Sequence, residues 1–206
     1  MIPLGPARES DVVLAFLKAE IDYSDSRERI QRSLQVLQES GVSRRELIEE
    51  ADPDNDYHND LRARLLEYRG YRRRLGLFIG FPTTVDWRRV GLEPADFGRL
   101  TYIANEPSWD SYSQRTRSPQ VVADRMARRE LPDSFAQKVA AIQDKLKRNE
   151  TLPELVAVEG EEDQLILIEG AHRITAYVGL NWQANIPAII GRSALMPNWH
   201  WYAYRP

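Results

Sequence analysis

Residues 165–180, LILIEGAHRITAYVGL, constrain this chain more than any other stretch. Leu165 to Ile168 form a short apolar run that reads as a buried strand. Glu169 and Gly170 follow, and AHRITAYVGL then places apolar residues at helical spacing. A strand that passes through glycine straight into a helix is a specific local geometry. Glycine lets the backbone approach a ligand closely. The first amides of the helix have no internal partners and form the positive end of the helix dipole. A phosphate suits that position. Arg173 adds a bidentate fork and His172 a further donor. The plainer alternative is a strand–turn–helix connection with a solvated arginine.

The flanking pattern supports a soluble core. Glu9, Ser10 and Asp11 offer caps before VVLAFLKAEIDY, where Val12, Phe16 and Ile21 give a helical stripe. Ser26 opens a second helical pattern, RERIQRSLQVLQES, which Gly41 ends. Ser43 and Glu46 form a capping-box pattern before RRELIEEA, and a fourth helix is expected from about His58 to Arg74. GLFIGF, VDWRRVGL and residues 100–104 read as strands. Residues 105–120 read as a polar loop and Ser118-Pro119 as a helix start. Further on come the helix SFAQKVAAIQDKLKRNE, the strand LPELVAVEG, the turn EEDQ and the strand NIPAIIG. The aromatic tail PNWHWYAYRP is expected to pack on the body, although Trp199, Trp201, Tyr202 and Tyr204 could also stack on a base.

Composition removes several classes of chemistry. The 206 residues include no cysteine, which excludes thiol nucleophiles, Cys-based zinc sites and disulfides. Three histidines, His58, His172 and His200, make a His-rich metal site improbable, and no metal ligands are assigned. No apolar run approaches the roughly 20 residues of a membrane helix. The N-terminal sequence lacks a signal-peptide pattern, so a cytoplasmic protein without membrane partners is expected. Net charge is −3, which argues against a general nucleic-acid coat but leaves room for a local basic patch.

Such a patch has a candidate. Residues 61–74 carry six arginines, Arg62, Arg64, Arg69, Arg72, Arg73 and Arg74, and one glutamate. Residues 46–60 carry seven acids and no Lys or Arg. The simplest reading pairs these two stretches; the alternative is contact with DNA, RNA or nucleotide phosphates. Arg125, Arg128 and Arg129 would extend the patch if the fold joined them. Asp52, Asp54 and Asp56 copy half of a calcium loop. Tyr57 occupies its glycine position and Ala63 its glutamate position, so the segment reads as an acidic turn with a cap.

The order helix 133–148, strand 152–158, turn, strand, Glu169-Gly170-Ala171-His172-Arg173, helix, Gly179-Leu180 and Ile186-Pro187-Ala188-Ile189 resembles the ParB/sulfiredoxin-like superfamily. The resemblance covers about residues 99–192. It implies an α/β (α+β) fold in which Glu169, Gly170, Ala171, His172 and Arg173 bind nucleotide phosphates. Ala171 stands where sulfiredoxins carry their cysteine, so that chemistry is excluded. No Glu-Asn-x-x-Arg element is present, and the 14 residues from Ser193 leave no helix-turn-helix after the box. The nearest branch comprises free-serine kinases with an Asp-Gly-His-His-Arg box.

In relatives a polar loop covers the phosphates, which implies a phosphate-binding role for Ser111, Ser113, Arg115, Thr116 and Arg117, unless that loop is simply solvated. A glutamate after the first strand acts as base in the kinase branch. Glu106 matches it by position, with Asp110 as an alternative and His172 a further candidate. The resemblance thus implies a nucleotide-binding domain at 99–192, while the residue patterns alone give a helical region at 1–75, a strand-containing connector at 76–98 and an aromatic tail at 193–206. The expected function is ATP- or ADP-dependent phosphotransfer, or nucleotide hydrolysis, with a small hydroxylated acceptor and often magnesium. The rival expectation is a nucleic-acid-binding module or nuclease. Neither the nucleotide nor the oligomeric state is fixed by the sequence.

Overall fold

The computed structural model describes residues 1–21 and 41–204, so the helix expected after Ser26 lies outside the described residues. Its centre is one six-stranded mixed sheet. The strands are β1 (Ile2–Ala7), β2 (Asp86–Leu92), β3 (Leu100–Thr101), β4 (Leu155–Glu159), β5 (Leu165–Glu169) and β6 (Ile186–Arg192). Their order across the sheet is β1-β2-β6-β4-β5-β3. The β4–β6 and β3–β5 pairs are parallel and the others antiparallel. The architecture is α/β. The helices are α1 (Glu9–Glu20), α2 (Asp56–Leu65), α3 (Pro107–Tyr112), α4 (Pro119–Ala127), α5 (Asp133–Lys147) and α6 (Ala171–Gly179).

The central strands are apolar at almost every position because both faces of the sheet are covered. Successive side chains point to opposite faces. Val156, Val158, Ile166 and Ile168 join a core with Phe16 and Leu17 of α1 and Leu61 and Leu65 of α2. Leu155, Ala157, Leu165 and Leu167 join a second core with Val122 of α4, Val139 of α5 and Ile174 of α6. The chain therefore stacks helices, sheet and helices in three layers.

Several sequence expectations change. Residues 2–7, inside the region 1–75 expected to be helical, form the edge strand β1, whose Pro3 and Pro6 suit an edge position. Residues 76–81 are not a strand. Gly76–Phe78 is a short 3-10 turn, and Gly76 and Gly80 take φ of +51° and +72°. The carbonyls of Gly76 and Leu77 instead accept the indole N–H groups of Trp201 and Trp199, and Ile79 accepts the His200 amide. The aromatic tail thus packs on the body as expected, with Trp199 fully buried. The strand at 100–104 shortens to Leu100–Thr101, because the Tyr102 and Ala104 amides donate to Arg117 and Trp201 carbonyls. The loop at 105–120 contains α3, capped by the Glu106 carboxylate with Pro107 in its first turn.

The helix expected from His58 to Arg74 begins at Asp56, where Asn55 caps it, and ends at Leu65. A 3-10 turn, Leu66–Arg69, follows and closes on Gly70 at φ +89°. A Cβ there would lie 1.8 Å from the Leu75 carbonyl oxygen, so the position requires glycine. The Ser43–Glu46 capping box is present, ahead of a single π-turn, Arg45–Glu49. Among the described residues, no helix is long and apolar enough to cross a membrane.

Candidate functional site

The end of β5 carries an irregularity that sets up the site. Val156 pairs with Glu169 while Ala157 pairs with Leu167, so Ile168 is an extra residue on β5. Such a bulge bends a strand and re-aims its last side chains. Gly170 follows at φ +106°, a left-handed conformation that disfavours any side chain. A Cβ at Gly170 would lie 2.3 Å from Leu155 Cδ2 and 3.1 Å from Arg173 Nη2. The chain then enters α6 with no side-chain cap, leaving the first-turn amides as its positive end.

This turn opens into a cleft of about 780 Å³. Its wall includes Glu169, Gly170, Ala171, His172 and Arg173, five positions that the sequence singles out. Four further cations line it, Lys18 from α1, Arg69 from the turn after α2, and Lys138 and Lys145 from α5. Glu20, Tyr68, Leu77, Ile103, Glu106 and Trp109 complete the parts that matter below. Sequence reading did not single out Lys18, Glu20, Lys138 or Lys145. Their helices read as ordinary amphipathic segments, and only the fold turns these faces toward Gly170.

Arg173 is largely enclosed, with its side chain 7 % exposed. Its Nη1 donates to the Pro153 carbonyl at 2.7 Å and its Nη2 to Glu169 Oε1 at 3.2 Å. The guanidinium therefore ties β5 and α6 to the start of β4 while lining the cleft. His172 is half-buried between aromatic rings, its centroid 5.0 Å from Trp109 and 5.2 Å from Phe135. Trp109 in turn stacks on Tyr102 at 4.5 Å, and the Tyr102 hydroxyl meets Thr175 of α6 at 2.7 Å.

Glu20 is the most perturbed acid in the cleft. Its side chain is 3 % exposed, and its Oε1 accepts from Arg69 Nε at 2.6 Å. Burial and the nearby Glu169 charge push its carboxyl up to about 7, against the pull of Arg69 and Arg173. Glu20 Oε2 and the Tyr68 hydroxyl are buried without hydrogen-bond partners among the described residues.

The second polar segment falls elsewhere. Asp110, Ser111, Ser113, Arg115, Thr116 and Arg117 do not line the cleft. Buried Ser113 donates to the Trp109 carbonyl at 2.7 Å and accepts the Arg117 amide at 3.1 Å. Thr116 donates to the Ser113 carbonyl. Arg117 Nε donates to the Tyr102 carbonyl, and desolvation pulls the pKa of this half-buried arginine down. Arg115 lies over the Tyr204 ring at 4.6 Å, and Asp110 accepts the Tyr204 hydroxyl at 2.5 Å. Ser111 is exposed, and its carbonyl accepts from Arg125. These groups close their own turn and hold the tail. Glu106 alone of the two acidic candidates lines the cleft, with its Oε2 accepting the Trp109 amide at 2.7 Å.

The basic helix does not form a single open patch. Arg62 is 1 % exposed and donates to the Leu47 and Asp52 carbonyls. Arg64 and Arg72 pair with Asp60, Arg73 with Glu67 and Arg69 with Glu20. Arg74 is exposed. Arg125 and Arg128 both pair with Glu130 on the other helical layer, so they do not extend this stretch. No group of three or more acidic or histidine side chains that could hold a metal is present among the described residues. The acidic turn at 52–56 is an ordinary one, with the Asp54 amide donating to Asp52 and Asn55 capping α2. Comparison with protein-family models, curated proteins and solved structures gives no match.

Proposed function

We propose that this chain binds a nucleotide in the cleft at the start of α6 and transfers its terminal phosphoryl group to a small hydroxylated acceptor. One observation carries the reading. The uncapped first turn of α6, reached through Gly170, opens into a nucleotide-sized cleft lined by Lys18, Arg69, Lys138, Lys145 and Arg173. Five cations against the carboxylates of Glu20, Glu106 and Glu169 favour a polyanionic guest. The α6 amides and the lysines of α5 take the phosphates. Trp109, Leu77 and Ile103 offer apolar surface to the remainder of the ligand.

Phosphoryl transfer needs positioning and charge neutralisation more than covalent help, so the absence of cysteine is compatible with it. The attacking hydroxyl oxygen forms a bond to phosphorus as the bridging oxygen leaves with the nucleotide product. The hydroxyl proton passes to a carboxylate of the cleft, for which Glu106 is placed on the wall. Magnesium, when it accompanies the phosphates, screens their charge. Glu106 and Glu169 are hard oxygen ligands of the kind it takes, one or two at a time.

The test is thermal stability of the full chain with ATP, ADP, CTP and GTP, with and without magnesium. A bound nucleotide raises stability by about 2.7 kcal/mol at a hundredfold excess over its dissociation constant. A shift with one of them, lost in Arg173→Ala with the fold intact by circular dichroism, is the expected result. No shift with any nucleotide, or an equal shift in Arg173→Ala, rejects the site.

A further inference from the structure

One cation in the cleft is placed to serve two anions. Arg69 sits on the 3-10 turn that follows α2, directly before the glycine-only Gly70 position. Its Nε and Nη2 both engage Glu20 Oε1. The Arg69 side chain as a whole is 42 % exposed and lines the cleft wall. A guanidinium has five N–H donors, more than one carboxylate oxygen engages, so a second anion can dock on it while the first stays bound.

The first anion is poorly supported. Glu20 is enclosed, and its second oxygen has no hydrogen-bond partner among the described residues. The charged groups that act on it are Arg69 from the 3-10 turn, Glu169 at the end of β5 and Arg173 from α6. Lys18 of its own helix and Tyr68 line the same cleft. A phosphate arriving at Arg69 adds negative charge across a cation already shared. A fully ionised phosphate keeps its charge near pH 8, whereas a buried, half-satisfied carboxylate loses its own by taking one proton from solvent. We propose that Arg69 is a phosphate-binding residue of this cleft and that Glu20 takes up a proton when the phosphate binds.

The inference rests on the phosphate reading of the cleft and adds a linkage to it. Burial already raises the Glu20 carboxyl to about 7, which shortens the further rise that proton uptake at pH 8 requires. The sign follows from linkage. Binding that takes up a proton weakens as pH rises, by up to about tenfold per unit for one proton, above the free-state value of about 7. Below that value Glu20 is already protonated and the dependence vanishes.

The experiment is calorimetric titration of ATP, and separately of inorganic tripolyphosphate, into the full chain at pH 8. Two buffers of different ionisation heat give the number of protons taken up. The wild type is expected to take up approaching one proton more than Glu20→Gln, which keeps the shape of the side chain. Arg69→Gln is expected to bind about tenfold more weakly and to lose the extra uptake. Equal uptake in wild type and Glu20→Gln, with ATP bound by both, overturns this inference and leaves the nucleotide site standing. Undiminished ATP binding by Arg69→Gln does the same. Tripolyphosphate binding with Glu20-dependent uptake but no binding of ATP supports the anion site and rejects the nucleotide. No binding of either ligand rejects both. Should Glu20→Gln fail to fold, the wild type decides alone, since ATP affinity constant between pH 7.5 and 8.5 overturns the linkage.

Discussion

Residues 169–173 and residues 108–118 carry similar chemistry, with arginines and hydrogen-bond donors in a Gly- or Pro-marked connection. The first segment lies on the cleft wall. The second folds Ser113 and Thr116 onto its own carbonyls, ties Arg117 to the Tyr102 carbonyl and lends Asp110 and Arg115 to Tyr204 of the tail. Gln114, Arg115 and Arg117 all take positive φ, which marks how tightly that turn is wound. Donor type therefore does not make a phosphate site. A site needs donors whose own backbone surroundings leave them unfilled, and the start of a helix provides those by construction.

Substitutions in the two segments put this contrast to the test. The largest effect is expected at Gly170. Gly170→Ala combines a left-handed backbone with a Cβ 2.3 Å from Leu155, and should destabilise by about 3 kcal/mol in urea unfolding. An unchanged midpoint would show that the turn into α6 relaxes freely.

Next comes the pH dependence of the cleft wall. The Glu20 carboxyl is raised from its ordinary 4.5 to about 7, so the folded state holds this proton more tightly than the unfolded chain. Its contribution to stability is present at acid pH and is lost as pH rises through that window, by about 3 kcal/mol. Relative to Glu20→Gln, the wild type should lose stability between pH 5 and 7 and run parallel to it above 8. Parallel curves throughout would place Glu20 outside the low-dielectric wall.

Ser113→Ala tests the other segment. It removes a donor from the Trp109 carbonyl and an acceptor from the Arg117 amide, at about 1–2 kcal/mol of stability. ATP affinity should stay within about twofold once folding is accounted for. A tenfold loss of affinity would bring the loop back as a phosphate cradle.

Smaller effects on stability are expected at Lys145 and Ser111. Lys145→Ala should change unfolding by less than about 0.5 kcal/mol, as surface substitutions do. Its expected cost is a several-fold loss of ATP affinity. Ser111→Ala, on the exposed side of α3, should change neither quantity, and the pair of variants separates cleft from loop directly.

Much of this was legible in sequence, for reasons particular to each element. The apolar runs at 155–158 and 165–168 announced a sheet buried on both faces, and the strand-Gly-helix passage located the turn that the cleft surrounds. Asn55, Ser43 and Glu46 show how short polar side chains at helix starts act locally. Residues 76–81 misled because their apolar residues serve a core through a glycine-built turn, while their carbonyls bond indoles more than a hundred residues away. β1 escaped notice because its Pro3, Gly5 and Pro6 suppress strand propensity, and pairing with β2 supplies what propensity lacks.

The site divides the same way. The glycine passage into α6, the absence of thiol chemistry and the position of Arg173 are written in the residues themselves, because each depends on residue identity or on neighbours a few positions away. Folding, and nothing local, brings Lys18, Glu20, Arg69, Lys138 and Lys145 into one cleft with Gly170 and closes the loop at 108–118. Charge availability depends on burial and on long-range partners. The Glu20–Arg69 pair spans 49 positions, and no local pattern records it.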